Sequence, residues 1–345
     1  MEEPFEKFDV NGPGIQDKIF GLPFSPETAK LIIVPVPWEA TVTYHKGTAA
    51  APEAILKSSR QIDVFVREIP DAWKLGIAML PVPLEIKKES DRVRLLVDQF
   101  HNAEAHGDEH SSIFISKINE SCESLNIYIN KTTQKYLDSG KMVGLLGGDH
   151  SISLGYIRSL AEKHDKMGIL QIDAHADLRK AYEGLTYSHG SIMYNALKIP
   201  SVSKLVQVGI RDLCDEEYQL IKRNSARVST FFDDDIKSSL EKGKTWENIC
   251  IEIVRELPQK VYISFDIDGL DPKLCPHTGT PVPGGLEFFQ AKKLIQAVAK
   301  SGRTIIGFDL NEVGAGKDND WDANVGARVL WELCNWMAVS KGIFS

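Results

Sequence analysis

Asp173-Ala174-His175-Ala176-Asp177 sets three metal-ligating side chains within five residues, directly after the apolar run Gly168-Ile169-Leu170-Gln171-Ile172. In an extended segment, residues two apart point the same way, so the three polar side chains can converge while the alanines keep the space around them small. Carboxylate oxygens beside an imidazole suit Mn(II), Fe(II), Ni(II) or Zn(II). Two further clusters repeat the pattern at a distance: Gly147-Gly148-Asp149-His150 after the run Met142 to Leu146, and Asp266-Ile267-Asp268 after Val261 to Phe265. His150, Asp173, His175, Asp177, Asp266 and Asp268 thus place four carboxylates and two imidazoles at the ends of three apolar runs. Aspartates crowded into one cleft repel and raise one another's pKa values. One divalent ion leaves such a cluster negative, whereas two with a shared hydroxide come close to neutral. The competing role of an aspartate after a strand is to cap the helix that follows, which accounts for one cluster more readily than for three.

Strands must deliver these groups and loops must present them. Unbroken apolar or β-branched runs predict strands at 31–36, 75–80, 142–146, 168–172, 204–209, 228–232, 260–266 and 304–309. Helical stretches are expected from Pro52 to Ser58, from the cap Ser151 to 163, and near 216–222, 245–256, 288–301 and 323–336. Strands alternating with helices predict an α/β fold, one three-layer α/β/α domain with a mainly parallel sheet. Ligands bind such sheets beyond the carboxyl ends of the strands, where all three clusters fall. Residues 1–30 carry little periodicity and are expected to form an arm on the domain or on a neighbouring subunit, leaving 31–345 as the domain. Within it, 85–140 reads as an elaboration with hints of two helices, in Val93-Leu96-Val97-Phe100 and Ile113-Ile118-Cys122. His101, His106 and His110 lie there among Glu104, Asp108 and Glu109, a pattern that fits a solvated charged loop better than a surface metal site.

The 345 residues, 43% of them hydrophobic, can bury one large core. Forty basic against 48 acidic side chains give a net charge of -8 without a basic block, which argues against nucleic acid and anionic lipid and favours a cationic small molecule. No apolar stretch of about 18 residues could span a bilayer. The acidic start Met1-Glu2-Glu3-Pro4 is unlike a signal peptide. Five scattered cysteines without C-x-x-C spacing fit reduced thiols, so the expected location is the cytoplasm.

The runs GGDHS (147–151), DAHADL (173–178) and SFDIDGLDP (264–272), in this order and spacing, resemble the three signatures of the ureohydrolase superfamily: arginases, agmatinases and related guanidino hydrolases. Val34 to Thr41 with Gly47 and Ala51 to Ile55, and later Thr278 to Pro281 and Gly307 to Val313, extend the likeness over roughly 30–340, with 84–141 the least matched part. The resemblance implies an arginase-like fold, a homo-oligomer (trimer or hexamer), and two divalent ions, Mn(II) first, with Ni(II), Fe(II) or Co(II) as substitutes. It implies that His150, Asp173, Asp177 and Asp266 surround one ion and Asp173, His175, Asp266 and Asp268 the other, with Asp173 and Asp266 bridging. Its catalytic set is His189 as proton shuttle, Glu312 as partner of the guanidinium, and Asp177. A loop histidine bonded to backbone and a glutamate capping a turn are the structural alternatives for His189 and Glu312. Asp309 reads as structural.

Arginases carry a second acidic residue where this chain has Cys214, and an asparagine where it has Arg179, which argues against an α-amino acid substrate. Asp177-Leu178-Arg179, Tyr182-Glu183-Gly184 and Tyr187-Ser188-His189 resemble agmatinases instead. The expected reaction is hydrolysis of agmatine to putrescine and urea, with Glu183, Asp212 or a loop residue attending the far amine. Guanidinobutyrate, guanidinopropionate, formiminoglutamate, guanidine and arginine are the alternative substrates. Two rivals are a single-zinc deacetylase of related fold and a catalytically silent metal-binding assembly protein.

Overall fold

The computed structural model describes residues 8–106, 111–316 and 319–344, so Asp108, Glu109 and His110 lie outside the described residues. Runs rich in Val, Ile and Leu without polar alternation can be stable only when covered on both faces. They form β1 (Leu31–Val36), β2 (Ile77–Met79), β3 (Met142–Gly147), β4 (Met167–Ile172), β5 (Val202–Ile210), β6 (Val228–Phe232), β7 (Lys260–Asp266) and β8 (Thr304–Asn311). Every residue of β1, β3 and β4 is buried. The eight strands make one sheet in the order β2-β1-β3-β8-β7-β4-β5-β6. Each pairing is parallel, so the mainly parallel sheet expected is wholly parallel among the described residues.

The helices are α1 (Ala51–Ser59), α2 (Leu84–Ala105), α3 (Ser111–Asp138), α4 (Ser153–Ala161), α5 (Ile192–Leu197), α6 (Asp215–Arg223), α7 (Asp233–Glu241), α8 (Trp246–Glu256), α9 (Phe288–Lys300) and α10 (Trp321–Ser340). One mutually packed group contains α2, α3, α4 and α5; another contains α1, α8, α9 and α10. The two groups cover the sheet, giving three layers around a continuous core that includes Leu145, Ile169, Ile263, Phe308 and Trp336. Each fully buried Leu or Ile contributes about 1.5–3 kcal/mol.

Several boundaries differ from the sequence expectation. The strand expected over 75–80 pairs only at Ile77–Met79, because Ala72–Leu75 turns as a short 3-10 helix before it. Ser151 does not cap the next helix. Asp149 caps a 3-10 turn at His150–Ile152, accepting from Ser151 N, and α4 follows that turn without a side-chain cap. Neither α5 nor α7 was expected, since one is six residues long and the other opens with three aspartates that mask its single buried apolar residue, Ile236. Leu84–Ala105 and Ser111–Asp138 are two long helices whose Val93, Val97, Phe100, Ile118, Leu125 and Ile129 are buried in the core. So are Ile19, Phe20, Leu22 and Phe24 near the start of the chain.

Candidate metal centre and active-site cavity

The four neighbouring strands β3, β8, β7 and β4 end side by side, and the clusters that are far apart in sequence meet at those ends. After β3, Gly148 N donates to Val36 O at 3.0 Å and Asp149 N to Trp38 O at 2.7 Å. A Cβ on Gly148 would lie 1.7 Å from the Trp38 carbonyl oxygen, so only glycine lets these backbones approach. Asp149 is buried and accepts from Ser151 N, Ser151 Oγ, Thr41 N and Thr41 Oγ1, which turns the chain and aims His150 across the strand ends. Asp177 and Glu312 adopt left-handed backbone at φ 55° and 59°, a strain that non-glycine residues hold only where surroundings enforce it.

His150 Nδ1 lies 3.1 Å from Asp173 Oδ2, 3.0 Å from Asp177 Oδ2 and 3.3 Å from Asp266 Oδ2, yet makes no aligned hydrogen bond among the described residues. On the other side of the ring, Nε2 is 2.8 Å from Ser264 Oγ, whose hydroxyl donates to Asp309 at 3.0 Å. Ser264 has one hydrogen and spends it on Asp309, so it accepts from Nε2–H. A neutral His150 then presents the Nδ1 lone pair to three carboxylates, an arrangement that repels unless a cation lies between them. His175 Nδ1 is 3.0 Å from Asp268 Oδ2 and 3.6 Å from Asp173 Oδ1. The ligand atoms form two groups, His150–Asp173–Asp266 and Asp173–His175–Asp268, each within 4.8 Å. Asp173 belongs to both, with Oδ2 toward His150 and Oδ1 toward His175; Asp177 adjoins the first, and Asp266 falls in the first only.

Electrostatics point the same way. Burial, reinforced by the Asp173 charge, raises Asp177 to about 7. Burial and the neighbouring Asp268 and Asp173 hold Asp266 well above the usual carboxylate range, and burial with Asp149 does so for Glu312. Burial opposes protonation of both histidines, but Asp173, Asp177 and Asp266 outweigh it at His150, and Asp268 and Asp173 push His175 up to about 12. The polypeptide alone therefore retains protons where ions would neutralise the charge. Mixed carboxylate and imidazole donors with an unpartnered buried nitrogen fit divalent cations of the Mn(II), Fe(II), Co(II), Ni(II) kind.

A cavity of about 210 Å³ opens on this cluster, lined by His175, Asp177, His189, Arg179, Tyr182 and Asp212 among others. His189 packs edge-on to Tyr182, with ring centroids 5.6 Å apart, and its Nδ1 is 3.5 Å from Thr41 Oγ1. Burial first, then the charges of His175 and His150, lower its pKa to about 4. Arg179 stacks over Tyr182 at 4.8 Å, its Nε 3.8 Å from Glu217. The Asp212 carboxylate is 65% exposed. Glu183 faces His101 at 2.8 Å and Cys214 precedes α6; neither lines the cavity. Glu312 is buried outside the lining, with Oε1 accepting from His150 N at 2.8 Å and Oε2 without a hydrogen-bond partner among the described residues. Thr41, Asp149, Ser264, Gln171 and Glu217 support the site but were not singled out from the sequence. The available signal was a polar residue inside an apolar strand, as at Gln171 and Ser264.

Ligand-bearing ends of neighbouring parallel strands, opening on one small cavity, define the class: an α/β enzyme with a candidate two-ion centre. A sequence model described as "Arginase family" matches residues 29–335, and the chain belongs to that family. It is an agmatinase-like ureohydrolase, a hydrolase of guanidino C–N bonds. It is 31% identical over 296 residues to the N(1)-aminopropylagmatine ureohydrolase of Thermus thermophilus, covering 86% of each chain. To the agmatinase of Neisseria meningitidis it is 30% identical over 318 residues, 91% of this chain and 89% of the relative. The solved agmatine ureohydrolase of Thermoplasma volcanium has the same fold, with a TM-score of 0.72 over 95% of this chain and 96% of that one at 23% identity. The family assignment sets aside the single-zinc deacetylase. Among the described residues, no helix is long and apolar enough to cross a membrane.

Proposed function

We propose that this enzyme hydrolyses agmatine to putrescine and urea with a pair of divalent ions, manganese first. His150, Asp173, Asp177 and Asp266 would hold one ion, and Asp173, His175, Asp266 and Asp268 the other. The observation that carries the reading is the convergence of three carboxylate oxygens within 3.3 Å on the unpartnered Nδ1 of His150. Bound ions supply the positive field that acidifies water near neutral pH and stabilises developing negative charge.

The chain's own residues do the rest. The Thr41 hydroxyl donates to Asp149, so it accepts from His189 Nδ1–H and leaves Nε2 of a neutral ring free. That nitrogen can take a proton from attacking water and hand it to the departing amine. The free oxygen of Glu312 is the carboxylate available to the planar guanidinium. Asp212, exposed at the cavity wall, faces the far ammonium of the substrate, and its openness to solvent together with the Thermus relative favours a second reading, N(1)-aminopropylagmatine. Five free thiols, four of them buried, fit a cytoplasmic enzyme. The exposed Phe65 and Phe289, which line one cavity, fit a homo-oligomer.

Urea release from the manganese-loaded enzyme, measured with agmatine, aminopropylagmatine, guanidinobutyrate, guanidinopropionate, formiminoglutamate, guanidine and arginine, tests the proposal. Agmatine is expected to have the highest kcat/KM; arginine in first place would overturn it.

A further inference from the structure

A row of buried and half-buried polar side chains crosses the sheet just behind the metal-ligating ends. Gln171 on β4 is in register with Gln207 on β5, which is in register with Thr230 on β6. Gln171 and Gln207 are fully buried, in strands whose other neighbouring residues are apolar. Thr230 Oγ1 donates to Gln207 Oε1 at 2.8 Å, Gln207 Nε2 to Gln171 Oε1 at 2.7 Å, and Gln171 Nε2 to Asp173 Oδ2 at 2.8 Å. The remaining amide hydrogens go to backbone carbonyls inside the ligand loop: Gln207 to Ala176 O at 2.8 Å and Gln171 to His175 O at 3.1 Å.

This row has a direction. Each amide oxygen accepts one bond and each amide nitrogen donates two, so neither amide can flip without aiming its oxygen at a carbonyl or carboxylate. Donors polarise one another along such a chain, and it terminates on the Asp173 oxygen that faces His150. The other oxygen, Oδ1, accepts from His175 N at 2.6 Å. Both oxygens of the residue common to the two ligand groups are thereby set by donor atoms that are not ligand atoms, the Gln171 amide and the His175 backbone N–H.

We propose that Gln171, backed by Gln207 and Thr230, is a positioning residue that orients Asp173 and the 173–177 loop for metal uptake. The inference rests on the two-ion reading above. Hydrogen-bonding partners behind a ligand typically change metal affinity by about 10–100-fold. A merely structural row would behave differently: leaving its buried partners unbonded would cost stability but leave metal affinity alone.

The test is manganese titration calorimetry on the wild type, Gln171→Leu, Gln207→Leu and Thr230→Val, with the visible spectrum of the cobalt-loaded proteins as a second readout. Q171L is expected to weaken manganese binding by about 10–100-fold and to alter the cobalt bands, with Q207L smaller and T230V smaller still. Metal-free Tm should fall in Q171L and Q207L, whose buried partners lose their bonds, so metal affinity and the cobalt bands, not Tm, separate the two roles. Affinities within twofold of wild type in both Q171L and Q207L would overturn the proposal. If Q171L fails to fold, Q207L decides alone, since it lies one strand away and touches no ligand side chain. A wild type that takes up no divalent ion would remove the two-ion reading itself, whereas a wild type that binds two ions as tightly as Q171L does overturns this inference only.

Discussion

A single methyl group at Gly279 should separate guanidinium binding from metal binding. A Cβ there would sit 2.7 Å from Glu312 Oε2 and meet no other group closer than 3.6 Å. The strap that carries it cannot retreat easily: Thr278 Oγ1 donates to Glu312 O at 2.8 Å, and His45 N donates to Gly279 O at 3.0 Å. Glu312 is pinned at Oε1 by His150 N, so the carboxylate must pivot and carry Oε2 away by several tenths of an ångström. Because the clash is with the end of a side chain, the fold should survive Gly279→Ala. A hydrogen bond to a charged group is worth about 1.5–3 kcal/mol, so losing the one between Glu312 and the guanidinium should lower kcat/KM roughly 10- to 150-fold. The assay is urea release from agmatine, alongside manganese content per chain, which should stay at the wild-type value. Activity within twofold of wild type would show that Glu312 Oε2 is not the guanidinium partner.

Three further expectations follow from the same geometry. Ser264→Ala removes the acceptor that fixes the His150 tautomer and should weaken manganese binding about 10–100-fold, with activity returning at saturating metal; unchanged binding by calorimetry would count against the relay from Asp309. His189→Ala should lower kcat by about 10²–10⁴-fold while manganese content stays constant, and a smaller loss would return His189 to a packing role. Metal-free protein should lose stability as pH rises from about 5 to 8: burial raises Asp149 to about 6 and Asp177 to about 7, and holds Asp266 and Glu312 well above the usual carboxylate range, so the native state keeps protons that the unfolded chain releases above about pH 4. The raised His150 and His175 act in the same direction, while His189, lowered to about 4, and the partly buried His164, also lowered, oppose them; metal-free Tm by calorimetry should fall across that window, and a rise would contradict the described cluster.

Much of the fold could be read from hydrophobic runs because a sheet covered on both faces leaves them uninterrupted, as in Leu31–Val36 and Met142–Gly147. Elements whose formation depends on tertiary packing could not. The α7 helix has one buried apolar residue and α5 is six residues long, and of the strand expected over 75–80 only Ile77–Met79 pairs with β1. For the site, the three clusters were legible because a strand end aims alternate residues one way. Their meeting was expected from the crowding of carboxylates and from the family resemblance, but not from strand order, because nothing local in Val261–Asp266 says that β7 lies between β8 and β4.

The groups that hold the ligands were hidden for a related reason. Gln171 looks like one polar interruption of an apolar strand, and Gln207, Ser264 and Asp309 like three more. Register turns them into one feature: Asp309 opposite Ser264, Ser264 opposite Gln171, and Gln171 opposite Gln207. A buried polar group costs stability unless it is bonded, and here every one is bonded toward His150 or Asp173. The row is the place where the sheet trades apolar packing for directed donors. It lies a strand residue or two behind the ligands, so the rigidity of the sheet is transmitted to the metal centre through bonds rather than through packing alone.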